Sequence, residues 1–172
     1  VQAAAGQRNK SAASYHFGSR EGLLEAVLTS RMAVVGERRV ELLAQARTTR
    51  DLVDALVRPV AEHARSPAGS HWARFLHQCS SDPSVAAVVR RSVEGESYRE
   101  TRRRLIEKLG RLPRPLRARR VDLAFTVAVA SLAAVEAGRR VPVEAEVDDL
   151  VDVCTAIVLT RPSPATLRSL AG

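Results

Sequence analysis

The chain has 172 residues and a formal net charge of +8, with 45% hydrophobic and 27% charged residues. That balance excludes wholesale disorder and supplies enough apolar mass for one buried core, or for a small domain fused to a medium one. Two cysteines, Cys79 and Cys154, are too few for a disulfide scaffold and point to a reducing, cytoplasmic compartment.

The longest apolar run, residues 123–135, is too short to cross a membrane, which takes about 20 residues. No secretion signal is visible, and residues 1–5 read as the tail of a helix whose start is expected upstream of Val1. The cations are 25 arginines and two lysines (Lys10 and Lys108), an excess that reads as coding bias rather than as phosphate recognition. The sign of the charge still favours an anionic partner, nucleic acid first.

Helical periodicity runs the length of the chain, and no Asn-Gly or Asp-Gly hairpin turn occurs. Gly6 closes the opening tail and Asn9 can cap a short helix over residues 10–17. Gly18 breaks it and Ser19 caps a long helix running to about residue 46, with Leu24, Val27, Leu28, Met32, Val35, Leu42 and Leu43 on its apolar stripe and Gly36 as a weak point. Thr48 or Thr49 caps the next helix, whose stripe is Leu52, Val53, Leu56, Val57 and Val60; Pro59 removes a donor and predicts a kink against Ala55. Residues 66–69 form a loop, and Ser70 is placed to cap a helix with Trp72, Phe75, Leu76 and Cys79 on one face. Pro83 opens a run over residues 84–111 with an irregularity near Gly95. The most apolar helix is expected over about 117–138, a further one over 145–161, and one last turn over 165–171. The fold class is therefore all-α.

Charge is uneven. Residues 90–120 hold 12 basic and 4 acidic groups, and residues 141–160 hold five acidic groups and no basic ones. The basic block reads as a solvated helix face partly balanced by the acidic segment; the alternative is an anion site.

The stretch Ala4-Ala5-Gly6-Gln7-Arg8-Asn9-Lys10-Ser11-Ala12-Ala13-Ser14-Tyr15-His16-Phe17-Gly18-Ser19-Arg20-Glu21-Gly22-Leu23-Leu24 resembles the end of the DNA-binding domain of TetR-type transcriptional regulators. Its characteristic part is Tyr15-His16-Phe17, a small break, then Ser19-Arg20-Glu21 and a Leu. The family usually carries Ala-Gly-Val-Ser here; Gln7-Arg8-Asn9 replaces it and sets the Tyr one residue further on. Beyond this stretch the likeness is one of helix order and length only.

The resemblance implies a helix-turn-helix head over residues 1–46, its first helix lying upstream, and a ligand-binding and dimerisation domain over 47–172. A short second helix in the major groove would present Arg8, Asn9, Lys10 and Ser11 to base edges, with Ser14 on the same helix. Tyr15 and His16 would donate to phosphates. Ser19 and Arg20, at the start of the long helix, would make a phosphate site, and Phe17 is a core plug.

The resemblance further implies a homodimer reading a near-palindrome in double-stranded DNA, joined through helices 117–138 and 145–161. The near-continuous apolarity of residues 123–135 suits a helix covered on both faces, in a dimer or at the centre of a monomer core. A small molecule would bind among the middle helices, and candidate lining residues are Trp72, Phe75, Leu76, Cys79, Tyr98, Arg102, Phe125, Val129 and Leu132. His63, His71 and His77 stand near them in sequence, with solvent exposure as the commoner fate.

Other chemistry is weak. His71, His77 and Cys79 lack zinc-site spacing, so no metal or other cofactor is expected. No acid, base and nucleophile set points to an enzyme, and Gly95-Glu96-Ser97 lacks the closing Gly of a nucleophile elbow. The expected function is sequence-specific DNA binding, as a repressor released by a ligand. The rivals are a basic protein binding DNA without sequence preference and a helical ligand carrier.

Overall fold

The computed structural model describes residues 19–66 and 71–171. Among the described residues the chain is all-helical, with no strand: α1 Arg20–Gln45, α2 Thr49–Arg65, α3 Trp72–Ser81, α4 Ala86–Val93, α5 Glu96–Lys108, α6 Arg114–Ala137, α7 Glu144–Leu159 and α8 Pro164–Ala171. The tail over 1–5, the short helix over 10–17, Phe17 and most of the 66–69 loop lie outside them.

Local capping chemistry sets several of these boundaries. The Ser19 hydroxyl accepts from the Gly22 amide at 3.0 Å and starts α1. Thr48 and Asp51 form a reciprocal capping box at α2, and the Asp51 carboxylate also accepts from the Arg47 amide at 2.8 Å. α6 begins at Arg114, ahead of the expected residue 117, because Pro115 sits in the first turn, where no amide donor is needed.

Ser70 is not the cap of α3. The N-cap is His71, in the left-handed region at φ 65°, with no side-chain cap of its own. The buried Glu136 carboxylate reaches over from α6 instead, accepting from the Ala73 amide at 3.1 Å and the Arg74 amide at 2.9 Å. A carboxylate there offsets the positive end of the helix dipole.

The expected run over 84–111 is two helices. Glu94 and Gly95 separate α4 from α5, and Gly95 stands at the N-cap of α5 in extended backbone.

α1 packs against α2, α4 and α5; α3 lies on α6, and α7 closes over α2 and α6. Gly36 lets α1 approach α5 closely: a Cβ there would meet Ser97 Oγ at 3.3 Å.

Two apolar clusters fill the interior. One joins Leu52, Leu56, Leu105, Val121, Val151 and Cys154. The other joins Leu28, Val35, Val60, Trp72, Leu76, Val129 and Leu132. Phe125 and Leu150 pack against both. Each fully buried Leu contributes about 1.5–3 kcal/mol, so these clusters, more than helix propensity, hold the bundle together.

The acidic segment is tied to α2 and to its own neighbourhood. Arg58 bonds Asp54, Asp148 and Glu144, Arg65 bonds Glu144, Arg50 bonds Asp152, and Arg140 bonds Glu146. The pairs that Arg50, Arg58 and Arg65 make with Glu144, Asp148 and Asp152 clamp α7 onto α2. No helix is long and apolar enough to cross a membrane among the described residues.

Candidate functional site

Arg8, Asn9, Lys10, Ser11, Ser14, Tyr15 and His16 lie outside the described residues. Ser19 and Arg20 stand at the head of α1, where Ser19 is exposed and its hydroxyl is engaged by the cap.

The nine expected ligand residues do not gather around one space. Trp72, Leu76, Val129 and Leu132 are buried in one cluster, and Tyr98 is buried in the other. Phe125 sits between the clusters, its ring centroid 5.3 Å from that of Tyr98 in an edge-on arrangement. Arg102 forms a bidentate pair with Asp122, at 2.8 and 3.0 Å.

Phe75 and Cys79 are half-buried and line a cavity of 380 Å³ with Leu23, Leu24, Val27, Gln78, Asp82 and Val85. This cavity touches the first turns of α1, next to the Ser19 cap. Cys154 is plain packing: its thiol donates to the Ala124 carbonyl at 3.4 Å, and burial pushes its pKa up to about 11.

A second cavity, of 350 Å³, lies further along α1, facing the break between α4 and α5. Met32, Ala33, Gly36, Arg39 and Val40 line it from α1; Ser92, Val93, Gly95, Glu96 and Ser97 line it from the other side. Arg39 is 1% exposed. Its Nε donates to the Ala55 carbonyl at 3.1 Å, and its guanidinium carbon lies 5.8 Å from the Tyr98 ring centroid. No carboxylate among the described residues is within ion-pair distance of it, and its Nη2 is buried without a partner, as is Ser92 Oγ.

Burial pushes the Arg39 pKa down to about 10, which still leaves it a cation at neutral pH, and pushes Tyr98 up to about 12. The sequence held a signal for Arg39: it falls in register with Leu28, Met32 and Val35, a charge on the apolar stripe of α1.

His63 is also buried, contrary to the expectation of solvent exposure, while His71 and His77 are exposed. His63 meets Trp72 edge-on at 5.8 Å, and His63 Nε2 and Trp72 Nε1 have no hydrogen-bond partner.

The basic block over 90–120 is mostly structural. Arg104 donates to the Leu43 and Ala46 carbonyls at 2.9 Å each, closing the C-terminus of α1. Arg117 donates to the Leu112 and Gly110 carbonyls at 2.8 Å each, and Arg120 donates to the Thr160 carbonyl. Arg103 pairs with Glu100 and Glu107 on its own helix. Four of the five carboxylates of the acidic segment over 141–160 pair with Arg50, Arg58, Arg65 and Arg140, all outside this block.

Compared with known proteins, the chain matches no protein-family model, no curated protein and no solved structure.

Proposed function

We propose that this chain is a TetR-type, sequence-specific DNA-binding regulator, a homodimeric repressor released by a small molecule. The observation that carries the reading is the run Tyr15-His16-Phe17 followed by Ser19-Arg20-Glu21, leading directly into a 26-residue helix. In such a regulator Arg8, Asn9, Lys10 and Ser11 read base edges in the major groove. Tyr15, His16, Ser19 and Arg20 hold phosphates, and Ser14 stands on the same DNA-facing helix.

The layout of α1 supports the coupling. Both cavities have walls on this one helix, about 39 Å long, whose first residues adjoin the proposed reading head. A tilt of about 5° at its far end would move the head by about 3 Å, enough to spoil a two-site fit on DNA. A ligand drives that tilt only if it binds one spacing better than the other. Pairing through α6 and α7 has support in exposed apolar side chains: Leu123 on α6 and Val153 and Leu159 on α7 are 49%, 45% and 51% exposed.

The test is binding of the protein, with its upstream segment, to DNA flanking its own gene and to shuffled DNA, at two salt concentrations. Tight, sequence-dependent binding weakened by Tyr15→Ala and Arg20→Ala is the expected result. Equal affinity for both DNAs, lost at the higher salt, would mean non-specific charge attraction instead.

A further inference from the structure

We infer that the cleft framed by the end of α2, the first turn of α3 and the turn after α6 binds a small phosphorylated molecule by its diphosphate group, with Arg74 and Arg139 as the principal donors. As an effector site this rests on the ligand-responsive reading above; as a binding site it stands on its own residues.

The cleft has a volume of 850 Å³ and is lined by Arg65, Arg74, Arg139 and Arg140 against one carboxylate, Glu136. Glu136 is buried, and its two oxygens already accept amides of α3 at 3.1 and 2.9 Å. The four arginines are all exposed, so a ligand can reach them. Arg65 pairs with Glu144, which it shares with Arg58, and Arg140 pairs with Glu146. Arg74 and Arg139 form no ion pair among the described residues. Residues 1–18, 67–70 and 172 contain no Asp or Glu to supply one. The cleft is therefore net positive even with Glu144 and Glu146 counted in, and two of its guanidiniums have no counter-charge.

The backbone keeps Arg139 there at a cost. The Arg139 amide donates to the Glu136 carbonyl at 3.0 Å and the Arg140 amide to the Val135 carbonyl at 3.2 Å, closing the end of α6. That paired closure requires a left-handed residue after the C-cap, ordinarily glycine. Here the glycine is one position early, at Gly138, and Arg139 takes the left-handed position at φ 55°. His71, at φ 65°, is the other non-glycine residue at positive φ among the described residues, and it lines the same cleft. Such strain concentrates where ligands are held.

Exposure narrows the class. Water and salt screen each pair in an open cleft, so a single negative charge is held weakly. A diphosphate brings several charges on two adjacent phosphoryl groups, and each can take a guanidinium in bidentate fashion. Ala64, Ala137 and Val141 add apolar surface for the organic part of the ligand.

The experiment is calorimetric titration of the full chain with inorganic pyrophosphate at fixed ionic strength, with acetate as the comparator. Pyrophosphate is expected to bind and acetate not. Arg74→Gln and Arg139→Gly are each expected to weaken pyrophosphate by at least about fivefold. Arg103→Gln removes a cation outside the cleft and is expected to leave the affinity unchanged. Glycine suits the left-handed position, so Arg139→Gly is expected to fold as well as the parent, and its lost binding is not lost structure. A shuffled DNA duplex separates a small ligand from the phosphates of DNA: Arg139→Gly is expected to leave its affinity as in the parent. No operator is used, so failure here is separable from failure of the sequence-specific DNA reading. Absence of pyrophosphate binding, equal binding of acetate, an equal loss in Arg103→Gln, or unchanged pyrophosphate affinity in either cleft variant would overturn the assignment. So would a duplex affinity weakened by Arg139→Gly.

Discussion

The Arg39 side chain donates to the Ala55 carbonyl at 3.1 Å, and the reason lies four residues further along α2. Residue 59 is proline, so it has no amide to offer the Ala55 oxygen. Pro59 thus leaves a gap in the helical ladder that a guanidinium on α1 fills, replacing the missing donor. Arg39→Met should cost about 1–3 kcal/mol, the penalty for stranding a buried carbonyl. Pro59→Ala restores the amide, so the double variant should recover part of that loss, with a coupling energy of about 1 kcal/mol in urea unfolding. Strict additivity of the two changes would show that Arg39 does not serve Ala55.

The arginines of α5 divide by what they touch, not by charge. Arg104 holds two carbonyls at the end of α1, whereas Arg103 is an exposed partner of Glu100 and Glu107. Arg104→Ala should cost about 1–2 kcal/mol, since two helix-terminal carbonyls lose a charged donor. Arg103→Ala should cost far less than Arg104→Ala, because exposed ion pairs are screened by water. Thermal unfolding of the two variants side by side checks this.

Much of the helix order was legible because caps and stripes are local. Ser19 and Thr48 each act within one turn, and Leu52, Leu56 and Val60 repeat at helical spacing. What was not legible depends on distance in sequence. Glu136 caps a helix more than sixty residues away, and no local pattern announces it. Arg39 carries no local signal of its buried contacts, because a charge on an apolar stripe looks like a gap in the stripe. All the expected ligand residues but Arg102 are apolar or aromatic, types that fill a core and line a cavity alike; burial separates Trp72 and Leu76 from Phe75 and Cys79.

His63 gives stability a pH dependence of defined sign. Its pKa is held below 6.5, first by burial and then by repulsion from Arg31. The unfolded chain therefore takes up a proton before the folded one does. The contribution of the neutral ring is fully present above about pH 6.5 and is lost as the pH falls below it. Denaturant midpoints measured at pH 7.5 and 5.5 should drop on acidification, and His63→Leu should flatten that drop while keeping an apolar neighbour for Trp72. A slope unchanged in His63→Leu would assign the effect to other groups.

The outer stripe of α6 runs through Leu123, Val127, Ala130, Ala134 and Ala137 and carries no charge, although every one of these positions is at least partly exposed. Across from it, α7 presents Val153 and Leu159 to solvent. Small residues at this spacing let a second helix approach closely, and the proposed dimer would cover the stripe with its own copy by two-fold symmetry. Leu123 is already half exposed in the single chain, so Leu123→Glu should change protomer stability by less than about 0.5 kcal/mol. In a symmetric interface the same change places two carboxylates against apolar surface at once, which is strongly unfavourable. Light scattering should therefore give a dimer mass for the parent chain and a monomer mass for Leu123→Glu, with the same helical spectrum. Affinity for a two-site operator should fall with it, since each head would then bind alone. A parent chain that runs as a monomer at micromolar concentration would remove α6 and α7 from the interface and with them the two-headed reading of DNA.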